Sequence, residues 1–209
     1  MTADQSGVVI ANLVGRVLTE TTTTVSPERV VSGGTAEITA AVDPARGGEI
    51  TRGTVAFSIV GKPLGACQEV PVVEGVATCR LRPGVIGDRT VGAVYSGSTT
   101  HQYSVARTSA LVVSPVPTTT SITAPSTAER TRRVPVTVEV DAARGTPRGR
   151  VEIRHNWTVI RSGWLRDGRW SGTVEVPDSV WRTMTLSARY RGALSHDGSV
   201  SSQVRVTVR

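Results

Sequence analysis

The sequence contains two copies of one pattern, separated by 95 to 98 residues. Three pairs of runs share this offset: Val42–Gly47 with Val140–Gly145, Arg52–Val55 with Arg148–Val151, and Tyr95–Gly97 with Tyr190–Gly192. Self-similarity at a fixed offset indicates tandem copies of one structural unit. For a chain of 209 residues, this predicts two small domains rather than one large domain.

The repeat also predicts the domain boundaries. Pro115 and Pro117 lie between the copies and favour an extended, semi-rigid linker. The first 20 residues lack the early positive charge and unbroken apolar run of a secretory signal, so an N-terminal arm or extra strand is the better interpretation. We therefore predict an N-terminal arm or extra strand over residues 1–20 and a first domain over 21–114. A proline-rich linker follows over 115–118, and a second domain over 119–209.

Both copies show the alternation that is typical of β-strands. Val134, Val136 and Val138 alternate with other residues, as do Val55 and Phe57 in the first copy. This period of two is typical of half-buried strands, and Gly-containing turns separate the runs. About seven short strands in each copy, without a helical stripe, predict an all-β fold of two tandem immunoglobulin-like β-sandwich domains.

The order of motifs resembles a known family. A Thr-rich opening strand precedes Gly53–Phe57, a Pro-Leu-Gly turn, a short hairpin and the closing run Val91–Gly97. This order is similar to the group 3 type of bacterial immunoglobulin-like repeat, found in bacterial surface proteins and tailed-phage virion proteins. The resemblance covers nearly all of residues 21–209 and implies a non-enzymatic spacer or adhesion role. Ser98 and Ala193 replace the family's usual Asp after Tyr-x-Gly, so no cation site is implied there.

The two cysteines flank a turn of the first copy. Cys67 and Cys79 lie on either side of Glu74-Gly75. On paired antiparallel strands, this separation suits the roughly 4.4–6.8 Å between Cα atoms that a disulfide requires, and we favour a bridge over two buried free thiols. Such a bridge stabilises by about 2–3 kcal/mol and indicates an extracellular or virion-surface setting. Two cysteines alone supply too few ligands for zinc.

The sequence offers no catalytic constellation. It has one lysine and three histidines, and His101 and His196 occupy equivalent positions, which indicates a shared structural role. His155 shares the face of Val151, as a core or rim histidine would. No Gly-x-Ser-x-Gly elbow or Gly-rich phosphate loop is present. We therefore predict no enzyme activity, no cofactor and no metal.

Charge and tryptophan are concentrated in the second copy. Residues 115–209 hold 15 of the 23 arginines against eight acidic residues, together with all four tryptophans. Such asymmetry favours an acidic partner surface, although a solvated basic face is an alternative. We expect Trp170 and Trp181 to lie in the core. The predicted binding residues are Arg130, Arg132, Arg133, Arg148, Arg150, Arg154, Trp157 and Trp164.

These features predict a structural and binding protein. The first hypothesis is a tailed-phage virion component, either a head decoration or a tail-associated protein, that binds capsid or tail proteins and host-surface glycan. The alternative is a secreted or cell-surface bacterial adhesin module that binds anionic glycan. Specific nucleic-acid binding is disfavoured because no reading module is present. Membrane insertion is disfavoured because no apolar run approaches the roughly 20 residues of a spanning helix. The first hypothesis is also compatible with a homo-oligomer of this protein on the particle.

Overall fold

The computed structural model describes residues 15–130 and 133–209. The chain forms two compact units, which meet in sequence between Ser114 and Pro115. The described residues are strands, turns and loops, with a single turn of 3-10 helix, η1, at Gly65–Cys67. The predicted all-β fold of two tandem immunoglobulin-like sandwiches is confirmed.

The first unit is a sandwich of two sheets. Its strands are β1 (Thr19–Ser26), β2 (Arg29–Val31), β3 (Ala36–Pro44), β4 (Thr54–Ile59), β5 (Lys62–Pro63), β6 (Val70–Pro71), β7 (Val76–Leu81), β8 (Gly87–Tyr95), β9 (Ser104–Val105) and β10 (Ser109–Ser114). One sheet has the order β1-β3-β7. The other has the order β2-β10-β8-β4-β5, with β6 pairing with β4 and β9 with β8.

The second unit repeats this arrangement. Its strands are β11 (Thr118–Thr123), β12 (Thr127–Ala128), β13 (Val134–Ala142), β14 (Arg150–His155), β15 (Thr158–Trp164), β16 (Arg169–Val174), β17 (Thr183–Tyr190), β18 (Ser199–Val200) and β19 (Val204–Val208). The smaller sheet has the order β11-β13-β16 and the larger has the order β12-β19-β17-β14-β15, with β18 pairing with β17. The two copies of the sequence pattern therefore fold into two units with equivalent strand order.

Each unit has its own apolar core between its two sheets. Alternate residues of β3 and β13 point inward, and Ile38 and Val138 are fully buried. The facing sheets contribute Phe57 of β4 and Ile153 of β14, with exposed fractions of 1% and 0%. Burial of this apolar surface is the main favourable contribution to the stability of each sandwich.

The Tyr-x-Gly repeat has a shared structural cause. The hydroxyl of Tyr95 donates a hydrogen bond to the carbonyl oxygen of Arg52, and that of Tyr190 donates to Arg148, both at 2.6 Å. The residue after each of these arginines is a glycine. A Cβ atom on Gly53 would lie 2.5 Å from the Tyr95 ring, and Gly53 has a φ of +101°. Only glycine fits this close approach with positive φ.

We predict that Tyr95→Phe and Tyr190→Phe each lower the free energy of unfolding of their own unit by about 1 kcal/mol, because each removes a buried hydrogen-bond donor. The four tryptophans lie in the second unit. Tryptophan fluorescence during urea unfolding therefore reports Tyr190→Phe, whereas far-UV circular dichroism reports both variants. Tyr103→Phe, at a position that is 70% exposed, is the control. An unchanged fluorescence midpoint for Tyr190→Phe contradicts the role assigned to its hydroxyl.

Equivalent valines attach the segment before each first strand. Val17 forms a parallel bridge with His101, and Val116 forms the same bridge with His196. Val116 is 3% exposed, so the predicted linker over 115–118 is attached to the second unit through this residue. Residues 1–14 of the predicted arm lie outside the described residues.

A disulfide joins Cys67 to Cys79 in the first unit, with 5.9 Å between their Cα atoms. Cys67 lies at the end of η1, and Cys79 lies on β7, where it pairs with Ile38 of β3. The bond therefore connects the segment after β5 of the larger sheet to β7, an edge strand of the smaller sheet.

Candidate binding surface

The predicted binding residues lie in separate parts of the second unit. They are distributed as follows: Arg150, Arg154 and Trp164 on the larger sheet, Trp157 at the β14–β15 turn, Arg148 between β13 and β14, and Arg130 and Arg133 between β12 and β13. Arg132 lies outside the described residues. The structure thus brings only part of the predicted set together.

The outer face of the larger sheet carries a cluster of arginines. Because side chains alternate along a strand, the burial of Val151 and Ile153 in the core places Arg150, Glu152 and Arg154 on the opposite face. Neighbouring strands contribute further side chains to this face by the same alternation. We call this surface the arginine face and define it by Arg150, Glu152, Arg154, Ser162, Trp164, Arg189, Arg191 and Arg205.

A buried carboxylate organises the centre of the arginine face. Glu152 is 2% exposed and accepts hydrogen bonds from two guanidinium groups. Arg191 Nε donates to Oε1 at 2.6 Å, and Arg154 Nη2 donates to Oε2 at 2.9 Å. The side chain of Arg154 is only 19% exposed, whereas that of Arg191 is 58% exposed. The three side chains therefore form a triad with one net positive charge.

The two arginines determine the ionisation of Glu152. Burial alone raises its pKa, but hydrogen bonds from Arg191 and Arg154, together with their charges, outweigh burial and leave the pKa below its usual value. Glu152 is therefore ionised at neutral pH. Its single negative charge stands against five arginines on the face.

The equivalent positions in the first unit are uncharged. Val94 pairs with Ala56 where Arg189 pairs with Glu152 in the second unit, which fixes the correspondence between the two sheets. Register then gives the first-unit counterparts of the six charged residues of the arginine face as Thr54, Ala56, Ser58, Val94, Ser96 and Ala110. The same framework thus carries a charged set in one unit and an uncharged set in the other.

Trp164 and Trp170 lie on opposite sides of β15. Trp164 is 72% exposed and pairs with Arg150, whereas Gly163 pairs with Val151. The Trp170 indole packs against the core side of Gly163, where a Cβ atom would lie 1.9 Å from its Nε1 atom. Trp170 thus takes the core position that we predict from the sequence, and Trp164 belongs to the arginine face.

The prediction that Trp181 lies in the core is wrong. Trp181 is 72% exposed, and the guanidinium carbon of Arg130 lies 3.7 Å from its ring centroid. The preceding residue, Val180, is 4% exposed and takes the core position instead. In the first unit Ile86 packs against the core, so the register between the copies shifts by one residue in this loop.

The remaining predicted residues do not join the arginine face. Arg133 forms an exposed ion pair with Glu175 at 3.0 Å. Arg130 donates to the Asp178 carbonyl oxygen at 3.2 Å in addition to its stacking. Trp157 is 80% exposed and has a positive φ of 74° at the β14–β15 turn. Binding by these residues stays a prediction.

Two of the three histidines contact backbone oxygen atoms, whereas His101 Nδ1 lies 3.0 Å from the Thr100 hydroxyl. His155 Nδ1 lies 3.0 Å from the Thr185 carbonyl oxygen, and His196 Nε2 lies 2.9 Å from that of Arg144. Within the described part of the chain, no three His, Cys, Asp or Glu residues are grouped as a metal site requires. No helix in residues 15–130 or 133–209 has the length and apolarity that crossing a membrane requires.

Comparison with known families finds a match in the first unit. Residues 22–114 match the bacterial Ig-like domain (group 3). The first unit is similar to this family over these residues. The match runs from Thr22, within β1, to the end of β10, and it confirms for the first copy the resemblance inferred from the motifs. The second Ig-like domain repeats the same sheet order, with its own charged face.

Solved structures that resemble this tandem of Ig-like domains are distant. The adhesin InvE of Yersinia pseudotuberculosis is 16% identical, with 90% of this chain and 58% of that chain covered and a TM-score of 0.47. The fibronectin(III)-like modules of Clostridium thermocellum CbhA are 17% identical, with 89% and 92% covered and a TM-score of 0.35. The outer capsid protein Hoc of bacteriophage RB49 is 12% identical, with 91% and 59% covered and a TM-score of 0.33.

This chain therefore spans only 58% of the InvE chain. No curated protein matches the sequence. The function proposed for the chain accordingly depends on its own residues.

Proposed function

We propose that this protein is a non-enzymatic component of a tailed-phage virion. In this proposal the first Ig-like domain is a spacer, and the second binds an anionic host surface through the arginine face. The observation that carries the binding role is the contrast between equivalent positions of two sheets, which are uncharged in the first unit and hold five arginines around a buried glutamate in the second. An anionic ligand would be attracted to the second face and not to the first.

The disulfide supports a location outside the bacterial cytosol. Disulfides persist in oxidising settings, which include virion surfaces and secreted proteins. The Cys67–Cys79 bond suits either setting. It therefore also favours the second candidate function, a secreted or cell-surface adhesin module that uses the same face to bind anionic glycan.

Two experiments test the proposed function. Mass spectrometry of purified particles tests the location, and we expect this protein among the virion proteins. Its absence from purified virions overturns the phage assignment and leaves the adhesin candidate. For the binding surface, the triple variant Arg150→Ser, Arg189→Ser and Arg205→Ser is compared with the unchanged chain for adsorption to host cells.

We expect the triple variant to bind the host surface about tenfold more weakly, because three exposed contacts of roughly 0.5 kcal/mol each are lost. The matched control removes three exposed arginines of the first unit by Arg46→Ser, Arg82→Ser and Arg107→Ser. The control has the same net charge as the triple variant. Equal binding by the two variants would show that net charge, and not the arginine face, causes adsorption.

A further inference from the structure

The arginines of the arginine face follow the direction of the strands. Arg191 and Arg150 lie side by side, since the Arg191 amide donates to the Arg150 carbonyl oxygen at 3.1 Å. Arg189 lies on β17, two residues before Arg191. Arg154 is opposite Ser187, and Arg205 is opposite Thr185. The five arginines thus occupy four successive levels of the sheet, which we call the arginine track.

The arginine track is extended rather than compact. Three of its levels lie at residues 185, 187 and 189 of β17, and the fourth lies at Arg191, which directly follows β17. At a rise of about 3.3 Å per residue, six residues correspond to about 20 Å. A small anion could not span the whole track, although one carboxylate, that of Glu152, reaches both Arg154 and Arg191. A linear ligand with repeated negative charges could contact all four.

Glu152 positions two members of the arginine track. Its carboxylate holds the guanidinium groups of Arg154 and Arg191 from both sides. Arginine presents planar pairs of N–H donors that match carboxylate and phosphate groups. Holding these donors in place before binding reduces the conformational entropy that a ligand would otherwise cost.

The residues around the arginine track favour a sugar polymer. Ser162, Thr185 and Ser187 place hydroxyl groups beside the arginines, and Trp164 presents an indole beside Arg150. The exposed apolar side chains of this face are Trp164, Val159 opposite Arg154 and Val200 opposite Arg189. Arginines lie between them, whereas the centre of a specific protein interface is apolar and depleted of charge. Single-stranded nucleic acid is bound by several stacking aromatic residues, and this face offers one.

We infer that the arginine face binds a linear anionic polysaccharide along the arginine track, with the Trp164 indole against a sugar ring at one end. This inference rests on the proposed function and specifies its ligand. The guanidinium groups contact the anionic groups of successive sugars, and the serine and threonine hydroxyls bond to sugar hydroxyls. A flat, partly apolar sugar ring covers the exposed indole.

Binding of oligogalacturonates to the full chain tests the inference. We expect the decasaccharide to bind at least about tenfold more tightly than the disaccharide, because only the longer oligomer contacts several levels of the arginine track. Trp164→Ala is expected to weaken decasaccharide binding severalfold. Its matched control is Tyr103→Ala, which removes an aromatic side chain of the first unit that is 70% exposed and is expected to leave the affinity unchanged.

Polyglutamate and single-stranded DNA of the same charge as the decasaccharide are the competing probes. The inference is supported if the unchanged chain binds the decasaccharide more tightly than the other two polymers, and if Trp164→Ala, but not the control variant, removes this preference. Equal binding of all three polymers, with no effect of Trp164→Ala, overturns the inference while leaving an anion-binding face as proposed. Absence of binding to every polymer and to host cells overturns both the inference and the proposed function.

Discussion

Glu152→Gln is expected to lower the free energy of unfolding of the second unit by about 3–5 kcal/mol. The substitution keeps the shape of the side chain but removes the charge that Arg154 and Arg191 share. The Arg154 side chain is 19% exposed, and its Nε atom is already buried without a hydrogen-bond partner among the described residues. Loss of the carboxylate therefore leaves a buried positive charge uncompensated.

Urea unfolding followed by tryptophan fluorescence measures this effect, because all tryptophans belong to the second unit. The matched control is Glu175→Gln, which breaks the exposed ion pair with Arg133. Exposed pairs contribute roughly 0–1 kcal/mol, so the control is expected to remain close to the unchanged chain. A Glu152→Gln variant as stable as the Glu175→Gln variant would contradict the structural role of the triad.

The pH dependence gives an independent measure of the same carboxylate. The pKa of Glu152 is lowered in the folded state, despite the opposing effect of burial, by hydrogen bonds from Arg191 and Arg154. Its contribution to stability is therefore present above the pKa of the unfolded chain and is lost as the pH falls through the folded pKa. The stability difference between the unchanged chain and Glu152→Gln should accordingly shrink on acidification.

The fold was accessible from the sequence because its main determinants are local. Alternation in runs such as Val134–Val140 reports which strand face is buried, and the Arg-Gly and Tyr-x-Gly motifs report a contact that both units require. Because the pattern is duplicated, each of these signals occurs twice in the sequence. Trp181 shows the limit of this reasoning, since a shift of one residue in a loop moved the core position to Val180.

The binding surface was only partly accessible. Arg150 and Arg154 were found because they lie in one arginine-rich stretch, but Arg189, Arg191 and Arg205 join them only through strand pairing. Their signal was present in the comparison of the two copies, because the counterparts in the first unit are uncharged. The burial of Glu152 could not be recognised from the sequence. It alternates with the buried Val151 and Ile153, as an exposed charged side chain would.

Removal of the Cys67–Cys79 bond is expected to destabilise the first unit alone. In the chain-entropy description, a disulfide stabilises a fold by restricting the unfolded chain. The two cysteines are separated by 12 residues. A closed loop of this size corresponds to about 3 kcal/mol. The bonded cysteines are also buried, so the variants Cys67→Ala and Cys79→Ala are combined to leave no polar thiol in the core.

The second unit is the internal control for this experiment, because it has no cysteine. Far-UV circular dichroism should show the unfolding of the first unit moving to a lower urea concentration, while the tryptophan fluorescence transition of the second unit keeps its midpoint. Reduction of the unchanged chain should reproduce the shift, which separates loss of the bond from loss of side-chain volume. A double variant that unfolds at the same urea concentration as the unchanged chain would show that the bond contributes little to the stability of the first unit.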